Sequence, residues 1–196
     1  SLTSDNGCNI VCIDENTTQS IVQNVKKKAV TYALNNKNAD YTAENITLEK
    51  NGCPTFDIFN KDRKVLSVSL NVAGDHNICN ALGVTAACEF LGIEPEYIKS
   101  GLEEFRGAKR RFDRLGKTET GVDVVDDYAH HPTEIKTTLE TAKKMGYNNV
   151  WVAFQPHTYT RTAAFLEQFA SALKTADRVM ITDIYPAREK YDGTMH

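Results

Sequence analysis

The sequence predicts an α/β protein, because strand and helix patterns alternate along most of its 196 residues. In the second half the alternation is regular, with predicted strands at 112–117, 122–126, 149–154 and 178–182 and predicted helices at 132–145 and 162–176. The run at 149–154 is continuously apolar, which is typical of a parallel strand buried on both faces. This half therefore predicts a doubly wound, Rossmann-like sheet. Because the last strand is barely covered, we expect that sheet to be incomplete.

The first half predicts a different arrangement of strands. A strand at 10–13, a helix at 17–25 and a strand at 29–34 precede a β pattern from 39 to 72. Asn51-Gly52 and the residues 60–62 are hairpin signals within that pattern, which predicts a small antiparallel meander. Small and apolar residues at 76–91 then predict a helix buried on almost all sides, and a second helix opens at Pro95. A glycine and basic stretch at 107–111 predicts a boundary between two domains, 1–107 and 108–196.

Composition excludes several classes of function. A net charge of −3 provides no basic surplus for nucleic acid or an anionic membrane, and no apolar run is long enough to span a bilayer. The first residues lack a signal-peptide pattern, so we expect a cytoplasmic protein. Five cysteines without CxxC or metal-ligand spacing predict reduced thiols and no metal site.

The first group of candidate site residues follows the strand at 122–126. Asp126 and Asp127 are succeeded by Tyr128, His130 and His131, and a strand end that leads into a helix is where open α/β sheets bind ligands. Adjacent strand residues point to opposite faces, so we expect one carboxylate, Asp127, to face the ligand. The alternative is that both carboxylates only cap the turn. The positive end of the helix dipole disfavours a charged imidazole, so a neutral histidine here could hydrogen-bond a substrate.

A second junction of the same kind follows the strand at 149–154. His157, Tyr159 and Arg161 alternate with threonines there. A guanidinium group can bind both oxygens of a carboxylate, which makes Arg161 a candidate clamp. The alternative is an arginine at a helix start that only meets solvent.

Amide side chains mark a third place, near the start of the helix at 76–91. Asn77 and Asn80 are three residues apart and share a helix face beside His76. Two amides could read a purine edge, and the alternative is local hydrogen bonding. Arg110 and Arg111 could hold phosphate if they line a cleft, although such pairs are usually solvated. The sequence contains no GxxxxGK[ST] phosphate loop.

Five motifs, taken together, resemble one known family. G-D-H-N-I-C-N-A-L, K-R-R-F, D-D-Y-A-H-H-P-T-E-I, F-Q-P-H-T-Y-T-R-T and D-I-Y-P-A-R-E occur in this order along the chain. They resemble the Mur ligases of peptidoglycan synthesis. The resemblance implies that 1–107 is the later part of the family's central, ATP-binding domain. It also implies that 108–196 is most of the amino-acid-binding C-terminal domain, so the chain resembles a fragment.

The resemblance implies an ATP-dependent amide ligase that forms an acyl phosphate on UDP-N-acetylmuramate and then attaches L-alanine. It implies ATP and Mg²⁺, with the Mg²⁺ ligands and the P-loop in a missing N-terminal part of the same polypeptide. A fragment of this kind is expected to be inactive alone. Two alternatives stay open: the branch of the family that recycles a murein tripeptide, and a non-catalytic nucleotide- or amino-acid-binding module.

The resemblance also implies roles for individual residues. His76, Asn77 and Asn80 lie near the adenine, Arg111 lies at the phosphates and Asp127 near the ribose. Amino-acid binding is assigned to the residues Tyr128, His130, His157 and Arg161, with His131 beside them. Arg111, Asp127, His130 and His131 are the candidate catalytic residues. Thr158 stands where many relatives carry arginine. If that arginine helps to hold phosphate or carboxylate, Arg161 must contribute more of this binding here.

Overall fold

The computed structural model describes residues 3–25, 27–190 and 193. The chain divides into two compact units, Ser1–Arg106 and Gly107–His196. Each unit has its own cluster of buried apolar side chains.

The described part of the first unit is built on a five-stranded sheet in the order β1-β2-β3-β4-β5. Its strands are β1 Asn9–Cys12, β2 Ala29–Tyr32, β3 Tyr41–Leu48, β4 Pro54–Asn60 and β5 Arg63–Ser69. β1, β2 and β3 pair in parallel, whereas β3, β4 and β5 pair antiparallel. The antiparallel meander that the hairpin signals predicted is therefore confirmed. Lys61, in the second of those turns, has a φ of 53°, the left-handed conformation that tight hairpins require.

Three helices accompany this sheet in the described residues: α1 Asn16–Asn24, α2 Asp75–Phe90 and α3 Pro95–Glu104. α2 packs on the sheet through Ile78, Leu82 and Ala86, which meet Phe56 and Ile58 of β4 in one core cluster. The expectation that α2 is buried on almost all sides was wrong. Val84 and Phe90 are exposed, because the sheet covers only one side of the helix.

The second unit contains β6 Asp113–Lys117, β7 Asp123–Asp126, α4 Pro132–Lys144, β8 Trp151–Phe154, α5 Tyr159–Ala164, α6 Leu166–Leu173 and β9 Arg178–Ile181. β6 and β7 form an antiparallel hairpin, and β8 pairs with β9 in parallel. α4 and α6 bury Ile135, Leu139 and Phe169 against Phe154 of β8. Along the chain α4 follows β7 and α5 follows β8, so each of these two strands leads into a helix start.

The α/β class is confirmed, and so is the parallel pairing of β8 with β9. The predicted burial of β8 on both faces was wrong, since Trp151 is 65% exposed, and Ile181 of the neighbouring β9 is 63% exposed. α4 and α6 cover one face of β8, whereas all four residues of β9 are exposed, and among residues 107–190 no further strand joins the pair. β7, expected in the same alternating sheet, pairs with β6 instead and with no other strand of the described residues. The single helix predicted at 162–176 is divided at Phe165 into α5 and α6.

Candidate functional site

Three of the predicted nucleotide residues come together at the start of α2. Gly74 precedes the helix with a φ of 100°, a conformation that suits glycine. The Asn77 amide donates to the Ala73 carbonyl at 2.8 Å and lies 3.2 Å from Nε2 of His76. Asn80 donates to the Asn77 side-chain oxygen at 3.3 Å. The amides therefore form a local network, as the alternative interpretation expected, while His76 and Asn80 remain exposed to solvent.

Asp127 organises the junction between β7 and α4. Its two carboxylate oxygens accept hydrogen bonds from the backbone N–H groups of Phe112 and Ala129, at 3.0 and 2.8 Å, and from the hydroxyl of Thr138 at 2.9 Å. The neighbouring Asp126 faces the Arg110 guanidinium at 3.6 Å. Asp127, directly after β7, thus joins the start of β6, its own turn and α4, whereas Asp126, the last residue of β7, faces a different partner.

His131 and Glu134 cap α4 reciprocally. The His131 ring accepts from the Thr133 N–H at 3.3 Å, and the Glu134 carboxylate accepts from the N–H groups of His130 and His131 at 3.0 and 3.2 Å. This is a capping box with histidine as the cap residue. Burial raises the pKa of Glu134, but the two backbone N–H groups, together with His130 and Arg111, outweigh it and lower the pKa below its usual value.

Cationic and aromatic side chains line the outside of this junction. The Arg110 guanidinium lies 4.6 Å from the centre of the Tyr128 ring, and that ring lies 5.1 Å from the His130 ring. Arg111 approaches Glu134 at 3.6 Å. Arg110 and Phe112 both have positive φ values, 61° and 47°. Such backbone is costly for non-glycine residues and persists only where the surroundings fix it, as the bond from Phe112 to the aspartate does.

The second junction is built by a carboxylate from a distant part of the unit. Glu189 accepts hydrogen bonds from the backbone N–H of Thr160 at 3.0 Å and from its hydroxyl. The hydrogen bond from the Thr160 hydroxyl contributes most, and the one from the Thr160 N–H comes next. Together they lower the pKa of Glu189 to about 2. Tyr185, from the same segment, stacks on His157 with ring centres 5.5 Å apart. The turn after β8 is therefore held in place by residues 185–189.

Arg161 lies in α5 and is partly buried. One nitrogen of its guanidinium donates to the His157 carbonyl at 3.3 Å, so these two predicted residues are brought together. The Thr158 carbonyl accepts from the N–H and hydroxyl of Thr162. The two junctions also meet, because the His131 ring packs edge-on against Phe165 at 5.0 Å.

Comparison with known proteins identifies the family. The model of the Mur ligase middle domain matches residues 1–88, and the model of the Mur ligase glutamate ligase domain matches residues 110–193. The chain belongs to the Mur ligase family.

Among similar proteins, the UDP-N-acetylmuramate--L-alanine ligase of Acetivibrio thermocellus is 46% identical over 195 residues, which is 100% of this chain and 41% of that protein. The enzyme of the same name from Clostridium perfringens is 43% identical over 183 residues, 93% of this chain and 39% of that protein. The chain thus spans about two fifths of the length of these relatives.

Solved structures agree with this family. UDP-N-acetylmuramate-alanine ligase MurC from Thermotoga maritima superposes with a TM-score of 0.67 at 36% identity, over 80% of this chain and 34% of that one. MurF from Acinetobacter baumannii has a TM-score of 0.71 at 22% identity, over 92% of this chain and 43% of that one. The second likeness is one of fold alone. No helix among the described residues of this Mur ligase chain is long and apolar enough to cross a membrane.

Sequence reasoning missed two features of this Mur ligase chain. Glu189 and Tyr185 lie in the motif D-I-Y-P-A-R-E, which carried the resemblance but suggested no role for them. The other feature is a cluster of Cys12, Asp14 and Cys79 in the first unit. Burial is the largest cause that raises the pKa of the Cys79 thiol to about 12, and the neighbouring Cys12 and Asp14 add to this effect. A separation of 67 residues between the two cysteines hides this cluster from any spacing rule.

Proposed function

We propose that this chain is part of an ATP-dependent ligase that joins L-alanine to UDP-N-acetylmuramate, with units that correspond to the end of the middle domain and most of the C-terminal domain. The observation that carries the proposal is the 46% identity to a ligase of that name over 195 residues, because the match includes both junctions. We also propose that the reaction passes through an acyl phosphate. A carboxylate does not condense with an amine in water unless its oxygen is first made a leaving group.

In this proposal the first unit reads the adenine of ATP. His76 and Asn80 present polar edges to solvent at the start of α2, and Asn77 fixes Asn80 through their 3.3 Å contact. An amide held by a neighbour presents donor and acceptor in a defined orientation, which a purine edge requires.

The second unit would supply the cations and the amino-acid subsite. Arg111 is half exposed beside the turn that Asp127 fixes, so it can meet phosphate oxygens at little cost in desolvation. Tyr128 and His130 would contact the amino acid beside Arg161, which would bind the carboxylate of L-alanine. His157 would act as its support, since its carbonyl already accepts from Arg161. Asp127 and His131 would act indirectly, because their contacts hold the turn and the helix start.

Mg²⁺ is expected in such a reaction, where it would neutralise charge on the transferred phosphoryl group. Magnesium prefers oxygen ligands. In residues 3–25, 27–190 and 193, the one cluster with three candidate metal ligands contains two thiols. The described residues therefore offer no group of three oxygen ligands that would hold Mg²⁺, and no step through it is assigned to them.

The proposal is tested with the complete protein that contains this chain. Phosphate release from ATP should require both UDP-N-acetylmuramate and L-alanine, and mass spectrometry should show the amide product. The murein tripeptide in place of L-alanine is the matched control and should give no release. Phosphate release that occurs with the tripeptide and not with L-alanine would assign the chain to the recycling branch. Ligand binding without any phosphate release would leave only a binding module. The 196-residue chain alone should not turn over, since its sequence has no phosphate-cradling loop.

A further inference from the structure

A compact group of two thiols and one carboxylate lies at the end of β1 in the first unit. The sulfur atoms of Cys12 and Cys79 are 3.6 Å apart, and each lies 3.9 Å from Oδ2 of Asp14. Cys12 ends β1, Asp14 follows it, and Cys79 comes from α2. The three side chains are partly buried rather than sealed in the core.

We propose that Cys12, Asp14 and Cys79 bind a thiophilic divalent cation of the Zn²⁺ class. A tetrahedral zinc ion with bonds of about 2.3 Å to sulfur and about 2.0 Å to oxygen sets its ligands roughly 3.8 Å apart for S–S and roughly 3.5 Å apart for S–O. The observed separations of 3.6, 3.9 and 3.9 Å differ from these by a few tenths of an ångström. A disulfide would instead need the sulfur atoms to approach to about 2.05 Å.

The carboxylate of the cluster is already held in place. Its Oδ1 accepts the backbone N–H groups of Asn35 and Asn36 at 2.8 and 3.2 Å, and its Oδ2 accepts that of Leu34 at 2.8 Å. Hydrogen bonds of this kind orient a metal ligand before the ion arrives. Both thiols also lie against Oδ2, so a cation that replaces their two protons would sit where three ligand atoms converge.

The charges of the site suit a cation once it is bound. An ion that displaces both thiol protons would be held by three anionic groups, and none of the ion pairs found among the described residues already occupies Asp14. Sulfur ligands select Zn²⁺ and similar soft ions over Mg²⁺. Three protein ligands leave a fourth position for water, as in open zinc sites.

A bound ion would link the end of β1, the loop at 34–36 and α2. Cys79 is adjacent to Asn80, so the ion would also stiffen the part of α2 that carries the exposed amides. This site is separate from the proposed ligase function and holds or fails independently of it.

The experiment titrates the reduced, complete protein with Co²⁺, whose visible spectrum reports tetrahedral coordination and whose ultraviolet charge-transfer band reports bound thiolate. We expect one ion per chain, displaced by Zn²⁺. Cys12→Ser and Cys79→Ser should each weaken binding about tenfold or more. Cys88→Ser changes a partly buried thiol on the same helix and should bind Co²⁺ as the unaltered protein does.

A second readout does not depend on how the variants fold. In the unaltered protein, Zn²⁺ should protect Cys12 and Cys79 from alkylation, mapped by mass spectrometry, and leave Cys8 and Cys88 reactive. The proposal is overturned if micromolar Zn²⁺ protects neither thiol, or if Co²⁺ binding survives both serine variants. It is also overturned if the two cysteines are recovered as a disulfide that binds no ion after reduction.

Discussion

The two junctions of the second unit carry similar residues but are built in different ways. At the first, Asp127 and Glu134 come from the junction itself and accept backbone N–H groups of their own turn and helix start. At the second, the carboxylate that holds the turn is Glu189, 29 residues beyond Thr160. In both, an acid fixes the backbone, while an arginine beside it, Arg111 or Arg161, remains partly accessible.

This difference separates two roles that the sequence presents together. A motif dense in ionisable groups invites a catalytic interpretation of each one. The structure divides them into two kinds. The acids accept hydrogen bonds from backbone N–H groups, whereas the arginines keep accessible guanidinium groups. A carboxylate that accepts several N–H groups is held in its charged form and in one orientation, which suits a support for binding groups.

The largest effect should come from the support of the first junction. Asp127→Ala removes an acceptor of three hydrogen bonds, two of them from backbone N–H groups, so the second unit should lose about 2–4 kcal/mol of stability. Denaturant unfolding measures the loss. The adjacent Asp126→Ala is the control and should cost less than about 0.5 kcal/mol, because its 3.6 Å pair with Arg110 is exposed. Equal losses would contradict the division of roles.

A smaller effect is expected from the helix cap. Glu134→Ala should destabilise α4 by about 1 kcal/mol, since two N–H groups lose their acceptor. Glu134→Gln keeps a residue that suits the capping box and should therefore lose less stability than Glu134→Ala. Thermal unfolding of both variants distinguishes a cap from a group that acts only on a ligand, for which neither variant would change stability.

The same carboxylate predicts a pH dependence. Its pKa is lowered in the folded protein, so its contribution is fully present above the unfolded value, about 4.5, and is lost as pH falls through the folded value. The difference in stability between the unaltered protein and Glu134→Gln should therefore shrink on acidification below about pH 4.5. A difference that is constant with pH would show that the charge of Glu134 does not matter.

The smallest effect is local to the second junction. Glu189→Ala should speed hydrogen exchange at the Thr160 amide and leave global stability nearly unchanged, because the hydrogen bonds between these two residues lie at the surface. Lys190→Ala, at an exposed neighbour, should leave that exchange unchanged. The pKa of Glu189 is lowered to about 2. In the unaltered protein, ionised Glu189 should protect the Thr160 amide from exchange at any pH above the usual glutamate pKa. This protection should be lost only as pH falls towards about 2.

Local patterns predicted much of this chain. The α/β class, the meander of β3 to β5 and the helix start at Pro132 follow from turn residues, apolar periodicity and proline geometry, all of which act over a few residues. The burial of β8 and β9 was not predictable, because it depends on what covers each face. Glu189 and the Cys12–Cys79 pair depend on contacts across 29 and 67 residues, and no local pattern records such distances.

The most direct test of the account is the kinetic effect of Arg161→Ala in the complete enzyme. If this guanidinium binds the amino-acid carboxylate, the KM for L-alanine should rise by about 30-fold, or about 2 kcal/mol, while the KM for ATP changes by less than about twofold. Arg178→Ala, an exposed arginine in the same unit, is the matched control and should change neither value. An unchanged KM for L-alanine, or an equal rise for ATP, would contradict the assignment of Arg161 to the amino-acid subsite.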